Sequence, residues 1–286
     1  MIRTIKTKQF KITALVLALV LTVSCVAWNA TKVHAQELEI NNTSVQTFAG
    51  AKLITNGKLA GTDQEAATMS VFVAGGSADK YNYSNVKWTH GGTSWVSESK
   101  MLYEGTGSQQ QIYACSPYVA DANDGVITVT ASEQVDRLVA TATDLTSSAV
   151  DLQMTHALTK LLLVPTFGTE VTSQTITSVK VGGMYASGDL KISDNSWSNL
   201  SEANATLEMK NNEVLVIPMA SCTSFDVVIT MSDGGTFTTT VTCPSGKLEA
   251  GTQYNIKLQV GQDKVTLGGI TAEPWVPSTG GVLETE

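Results

Sequence analysis

The sequence predicts an all-β fold of two sandwich domains, and three observations support this prediction. The chain of 286 residues is rich in β-branched side chains, with 38 Thr and 29 Val, which suit half-buried strands better than helices. Its length corresponds to about two domains of roughly 150 residues. Short apolar runs recur between clusters of Gly, Asn, Asp and Ser, a pattern typical of sandwiches rather than of βαβ units.

The first 35 residues predict an export signal. A basic segment, 3–11, precedes an apolar run, 12–28, that is shorter than a membrane span. Two endings remain open. Signal peptidase cleavage after Ala35 gives a signal peptide of residues 1–35, whereas Cys25 follows a lipobox-like LTVS and gives 1–24 if that cysteine is lipidated. In the first case Cys25 is an incidental small residue of the apolar run.

The charge of the exported chain excludes several partners. Removal of the five basic residues of segment 1–35 leaves 13 basic and 26 acidic residues, a net charge of −13. So acidic a protein repels phosphate, and nucleic acid and anionic lipid headgroups are therefore poor partners. Arg3 and Arg137 are the only arginines, so bidentate phosphate clamps are also absent from the sequence.

Strands are predicted along the whole mature chain, and the segment 144–148 is the predicted domain junction. The predicted domains are therefore residues 36–147 and 148–286. The only candidate for a helix is the segment 201–209. The predicted strands are 69–73, 86–88, 95–103, 111–115, 126–131, 138–141, 150–154, 158–164, 176–181, 190–192, 214–217, 225–231, 236–243, 254–260 and 265–270.

A hairpin with its turn at Asp233-Gly234 is predicted between residues 225 and 243, because Asp-Gly between alternating runs is a strong turn signal. This turn brings Cys222 near Cys243 at the open end of the hairpin, so a disulfide between them and two free buried thiols are both consistent with the sequence. Cys115 is left without a predicted partner. No C-x-x-C motif occurs, and a zinc site is not predicted.

The sequence offers little material for catalysis, and no enzyme activity, cofactor or metal is predicted. Only His90 and His156 remain after export, and His156 lies beside apolar residues in a predicted strand, as a structural histidine does. The motifs of the common hydrolases and nucleotide-binding proteins are absent. Trp88 and Trp95 flank a Gly-rich turn, and two interpretations stay open: an aromatic sugar-binding platform, or hairpin residues packed on the core.

Four segments in order resemble the fimbrillins, the type V pilins of Bacteroidales. The resemblance covers nearly the whole mature chain. It implies two transthyretin-like, Greek-key β-sandwich domains, with the HALTKL strand opening the second, and export as a lipoprotein to the cell surface. The segments are YSNVKW (83–88), QIYACSPY (111–118), LQMTHALTKL (152–161), and LEAGTQYNIKL (248–258) leading to ITAEPW (270–275).

The resemblance also implies how such a protein assembles. A first strand within residues 38–49 is removed by proteolysis, for which Lys52 and Lys58 are the basic sites. A strand from another subunit then fills the exposed groove; here the donor is the tail 275–286, through Val282 and Leu283. An ordinary last strand followed by a frayed terminus is the other interpretation of this tail.

The expected partners are therefore other fimbrial subunits in a head-to-tail polymer, surface ligands of host or bacterial cells, and the outer membrane through a lipid anchor during export. The expected location is the cell surface, in fimbriae or at the outer membrane. A glycan-binding surface lipoprotein that uses Trp88 and Trp95 is the alternative function.

Overall fold

The computed structural model describes residues 36–45, 68–90, 95–122, 124–171, 174–261 and 264–275. Within these ranges the chain forms strands and three 3-10 turns but no α-helix, which confirms the all-β prediction. No helix in the same ranges has the length and hydropathy of a membrane span. The strands are β1 Gln36–Glu37, β2 Glu39–Val45, β3 Thr68–Ala74, β4 Tyr83–His90, β5 Trp95–Ser97, β6 Leu102–Tyr103, β7 Gln111–Ser116, β8 Val126–Thr130, β9 Leu138–Asp144, β10 Ala149–His156, β11 Thr159–Phe167, β12 Ile176–Tyr185, β13 Ser187–Lys191, β14 Ser196–Ser198, β15 Ala203–Glu208, β16 Glu213–Val216, β17 Ser224–Met231, β18 Thr236–Thr242, β19 Thr252–Val260 and β20 Val265–Pro274.

The C-terminal half is a sandwich of two four-stranded sheets. One sheet has the order β16-β11-β19-β20 and the other β15-β12-β17-β18. Alternate residues of each strand point inward: Leu161 and Ile256 from the first sheet, and Val181, Val227 and Ile229 from the second, are fully buried in one cluster. The period of two in these sequences therefore produces the core of the sandwich.

The N-terminal half is built on a seven-stranded sheet with the order β2-β10-β9-β7-β3-β4-β5. Both faces are buried at the inner strand β3, which lies between β7 and β4. Met69, Val71 and Val73 contribute to one apolar cluster, and Phe72 contributes to another that continues into the C-terminal half. A strand buried on both faces has a nearly continuous apolar sequence, as residues 69–73 do except at Ser70.

A three-stranded sheet crosses the predicted domain junction. Its order is β14-β13-β8, so β8 of the N-terminal half pairs with β13 of the C-terminal half. Ile127 and Leu190, on these two strands, are buried in the shared cluster. The side-chain amide of Gln134 adds a second tie, because it donates to the Leu215 carbonyl oxygen at 2.9 Å and accepts from the Leu215 N–H at 2.8 Å. The two halves therefore share one core, and the division at residue 147 stays a prediction.

Two segments differ from the secondary structure predicted for them. The helix candidate 201–209 contains β15, in which Leu207 is buried and Glu208 is exposed, so the period is that of a strand paired with β12. The predicted strand 95–103 is divided into β5 and β6. The exposed polar residues Glu98, Ser99 and Lys100 separate these strands, since they have no place on a buried sheet.

The predicted hairpin is confirmed as β17 and β18, which pair from Thr230↔Thr236 to Ser224↔Thr242. Gly234 has a φ of +89° in the turn, a left-handed conformation that glycine adopts without steric cost. At the open end of the hairpin a disulfide joins Cys222 to Cys243, with Cα atoms 5.8 Å apart. Cys115 is a buried free thiol, and burial raises its pKa to about 12.

Replacing both Cys222 and Cys243 by Ser should lower the free energy of unfolding by about 3 kcal/mol, because the crosslink restricts the unfolded chain over a sequence separation of 21 residues. Urea denaturation followed by tryptophan fluorescence measures the change. As a control, a reducing agent should weaken the natural protein and leave the double variant unaffected. Equal stability of the natural protein with and without reductant would contradict this prediction.

Candidate functional site

The first long strand, β2, forms one edge of the seven-stranded sheet. It pairs in parallel with β10, from Glu39↔Ala149 to Val45↔Met154. Residues 46–67, which follow it in sequence, lie outside the described ranges. Its neighbour β10 is thus an inner strand of the sheet only while β2 is present.

Two apolar side chains hold this N-terminal segment in the core. Leu38 and Ile40 are 4% and 3% exposed, and both belong to the cluster that contains Trp88 and Met101. The backbone contributes as well, since the Leu38 N–H donates to the Met101 carbonyl oxygen at 2.7 Å. Burial of each such side chain is worth about 1.5–3 kcal/mol. Removal of the segment would therefore open an apolar groove as well as a strand edge.

Among the described residues, β2 is the strand that pairs with residues 149–154 of β10. On its opposite side β10 pairs with β9 at Thr155↔Val139 and His156↔Leu138. Residues 149–154 pair with β2 instead. Departure of β2 would expose an edge six residues long, along which alternate residues present unpaired N–H and C=O groups, and such an edge is a template for pairing with another strand.

The C-terminal end of the described chain is fixed near the far end of β10. Trp275 is 7% exposed, and its N–H donates to the Gly251 carbonyl oxygen at 2.8 Å. Its indole stacks on the His156 ring with centroids 3.7 Å apart and an interplanar angle of 15°. The Asp136 carboxylate accepts a hydrogen bond from His156 Nδ1 at 3.0 Å, which fixes the orientation of the imidazole ring.

A buried ion pair borders this stack. Lys160 Nζ lies 2.5 Å from Glu213 Oε2 and 5.9 Å from the centroid of the Trp275 ring, within the range of a cation–π contact. Lys160 belongs to the HALTKL segment, and its neighbours in β11, Thr159 and Leu161, are both buried. Its charge is compensated by Glu213, as burial of an ammonium group requires.

Most of the predicted assembly residues fall outside the described ranges. These are Cys25, Lys52, Lys58, Val282 and Leu283, whose roles stay predictions. The described residues include a segment next to each of two of these positions: β2, which precedes Lys52, and Trp275, after which the tail begins. Sequence reasoning identified His156 as structural but missed Asp136, which lies 20 positions away in sequence and stands in no recognisable motif.

The sugar-binding interpretation of Trp88 and Trp95 is wrong. The two side chains are 2% and 8% exposed and belong to the apolar cluster. Trp88 Nε1 donates to the sulfur of Met101 at 3.2 Å. Since a sugar platform needs an exposed aromatic face, these tryptophans are core residues of β4 and β5. No cluster of His, Cys, Asp or Glu side chains suited to a metal ion occurs in the described part of the chain.

Comparisons with known proteins agree on one family. The Fimbrillin-like family model matches residues 54–275. A crystal structure of a candidate cell adhesion protein from Bacteroides uniformis is 17% identical, with a TM-score of 0.65 over 85% of this chain and 99% of that one. A similar protein from Bacteroides ovatus is 16% identical, with a TM-score of 0.63 over 85% and 98%.

A fimbrial assembly protein from Parabacteroides distasonis is 14% identical, with a TM-score of 0.50 over 84% of this chain and 100% of that one. At these identities the structural likeness establishes the fold alone. No curated protein sequence is significantly similar to the chain.

Replacing Leu38 by Ala should loosen the first strand, because a buried leucine shortened to alanine costs about 2–5 kcal/mol. Amide hydrogen exchange of β10 residues 150–154 should accelerate, since these amides lie along the edge covered by β2. The exposed neighbour Glu37 provides the control variant Glu37→Ala, for which we expect no change. Equal exchange in both variants would show that Leu38 does not hold the strand.

Proposed function

We propose that this chain, which belongs to the fimbrillin-like family, is a structural subunit of cell-surface fimbriae that contributes to cell adhesion. The family supports the fimbrial role, and the covered edge of β10 supports the way in which the subunit assembles. This edge is paired with a segment that lies N-terminal to all other described strands and contributes two strands to the fold, β1 and β2. Such a segment can leave without breaking the order of the remaining sheets.

Maturation would proceed in two steps. The export signal would deliver the chain to the outer membrane as a lipoprotein acylated at Cys25. A trypsin-like protease would then cut after Lys52 or Lys58, both between β2 and β3. The chain has no arginine between these strands, so the lysines are the sites available to a protease that requires a basic residue. The cut would separate the first strand from the rest of the subunit.

Loss of β2 would make the subunit an acceptor. The unpaired β10 edge and the socket vacated by Leu38 and Ile40 would together form a groove. A strand added there gains affinity from backbone hydrogen bonds, and its alternate side chains set the register in the socket. Because β2 lies parallel to β10, a donor in the same direction would restore the original ladder.

The donor would be the tail of another subunit. Trp275 is buried in its own chain, so the donating part would begin at residue 276 and would use the apolar pair Val282 and Leu283. Successive residues of a strand point to opposite faces, so one of the two would enter the socket. Gly280 and Gly281 precede this apolar pair and allow the tail to bend as it enters. A tail-to-groove contact between different surfaces does not close on itself, and repetition of the contact therefore grows a fibre.

The surroundings of the candidate catalytic groups support a structural role rather than an enzymatic one. His156 is buried between Asp136 and Trp275, so it cannot reach a substrate. The Cys115 thiol is fully buried, and burial raises its pKa to about 12. Since the thiolate is the nucleophile, a thiol with so high a pKa is unreactive at neutral pH.

Limited trypsin treatment of the purified mature protein should remove the N-terminal strand and produce oligomers, because the exposed edge then pairs with a tail. Size-exclusion chromatography and mass spectrometry of the mature N-terminus measure both events. The variant carrying Lys52→Gln and Lys58→Gln is the matched control and should stay uncut at this segment and monomeric. Loss of the strand without any oligomer under native conditions would contradict the proposed assembly.

The variant Val282→Asp with Leu283→Asp should be cut like the natural protein but should fail to oligomerise, because a charged donor cannot enter an apolar socket. A matched control is Glu284→Gln, which leaves the apolar pair intact. Mixing the cut double variant with the cut natural protein should cap growing chains and shorten them. Normal polymers of the double variant alone would exclude these residues as the donor.

A further inference from the structure

One strand carries both the acceptor edge and the anchor of the donor tail. Residues 149–154 of β10 pair with β2, and His156, the last residue of the same strand, stacks on Trp275. Val150, the partner of Ile40 in the ladder, is six residues from His156, or about 20 Å along an extended strand. We propose that β10 couples the two sites, with His156 as the residue that positions the base of the tail according to whether the groove is filled.

The pairing of β10 explains how the coupling arises. Along residues 149–154 its strand partner among the described residues is β2, whereas β9 holds only Thr155 and His156. If the groove is empty, residues 149–154 of β10 therefore have no paired strand among the described residues. His156 is then held by two residue pairs and by Asp136, and its ring fluctuates more than when the strand is paired along its full length.

The stack transmits this change to the tail. Trp275 is the last described residue, and its backbone is held by one hydrogen bond, to Gly251. Its ring is held by His156 and by Lys160. His156 Nε2 is buried without a hydrogen-bond partner among the described residues, so the Asp136 contact and the stack on Trp275 are the interactions that orient the imidazole. A looser β10 thus means a looser base of the tail.

If the chain is a fimbrial subunit as proposed above, the coupling would direct new subunits to the end of an existing fibre. A subunit whose groove is filled holds its tail at a fixed base, whereas a free cut subunit has an empty groove and a loosely held tail. A preorganised donor loses less conformational entropy on binding. The tail of an incorporated subunit is therefore a better donor than the tail of a free one, and new subunits add to the existing fibre rather than to each other.

Hydrogen exchange at the Trp275 amide tests the coupling in the uncut full-length mature chain, without any need for polymers. Ile40→Asp places a charge in the core socket and displaces β2, and we expect it to accelerate exchange at Trp275 at least fivefold, the lower end of typical coupling between sites. Ile40→Ala serves as a milder version if the charged variant fails to fold. Unchanged exchange at Trp275 in a variant with accelerated exchange in β10 overturns the proposal.

A double-variant comparison separates coupling from general weakening. His156→Ala should accelerate exchange at Trp275 by itself, and Ile40→Asp added to it should have little further effect, since the link is already broken. Independent sites would instead give additive effects. Trp275→Phe keeps an aromatic ring stacked on His156. In this variant, Ile40→Asp should still accelerate exchange at the amide of residue 275. If Trp275 had only a structural role, the acceleration would be lost.

Val227→Ala is the control for global stability, because Val227 is fully buried in β17 and does not belong to β10 or to the stack. Exchange at Trp275 should change less in this control than in Ile40→Asp at equal loss of unfolding free energy, and an equal change overturns the coupling. These results are independent of the trypsin experiment. If polymers form but exchange at Trp275 does not respond, the coupling is contradicted and the proposed function is not. If exchange responds but no polymers form, the proposed assembly is contradicted and the coupling is not.

Discussion

The parallel pairing of β2 with β10 is the interaction on which the rest of the structure depends. It covers one edge of a seven-stranded sheet whose inner strand β3 is buried on both faces, and a strand can be added to a sheet only at an edge. The pairing is made by backbone hydrogen bonds and by the buried Leu38 and Ile40. In the proposed assembly, one proteolytic cut would release this segment, and the same edge would then accept a strand of another subunit.

Two contacts that join the two halves do not involve the first strand. β8 pairs with β13 across the two halves, and Gln134 closes two further hydrogen bonds to Leu215. Ile127 and Leu190, which are paired across β8 and β13, belong to a cluster separate from the one that contains Ile40. Ile40 is therefore not part of the packing between these two strands.

The sequence predicted what depends on local pattern and missed what depends on distant contacts. The Asp233-Gly234 turn and the alternation of residues 225–231 were sufficient for the hairpin. Residues 201–209 were ambiguous because SEANATLEM contains good helix formers, and pairing with β12 decided for a strand. Trp88 and Trp95 flank a turn in either interpretation, and only burial by Met101 and Leu38 from other segments excludes the sugar platform. The Asp136–His156 contact joins residues that no motif relates.

Charge adds a further constraint on assembly. Residues 36–286 carry a net charge of −13, and copies of a strongly acidic protein repel each other at the range of a Debye length, about 8 Å at physiological ionic strength. Contact between broad surfaces of two copies is therefore opposed. In the proposed assembly, a strand inserted in a groove would gain backbone hydrogen bonds and apolar burial, which act against this repulsion at the place of insertion. The negative charge would therefore oppose lateral association of subunits more than the insertion of a strand.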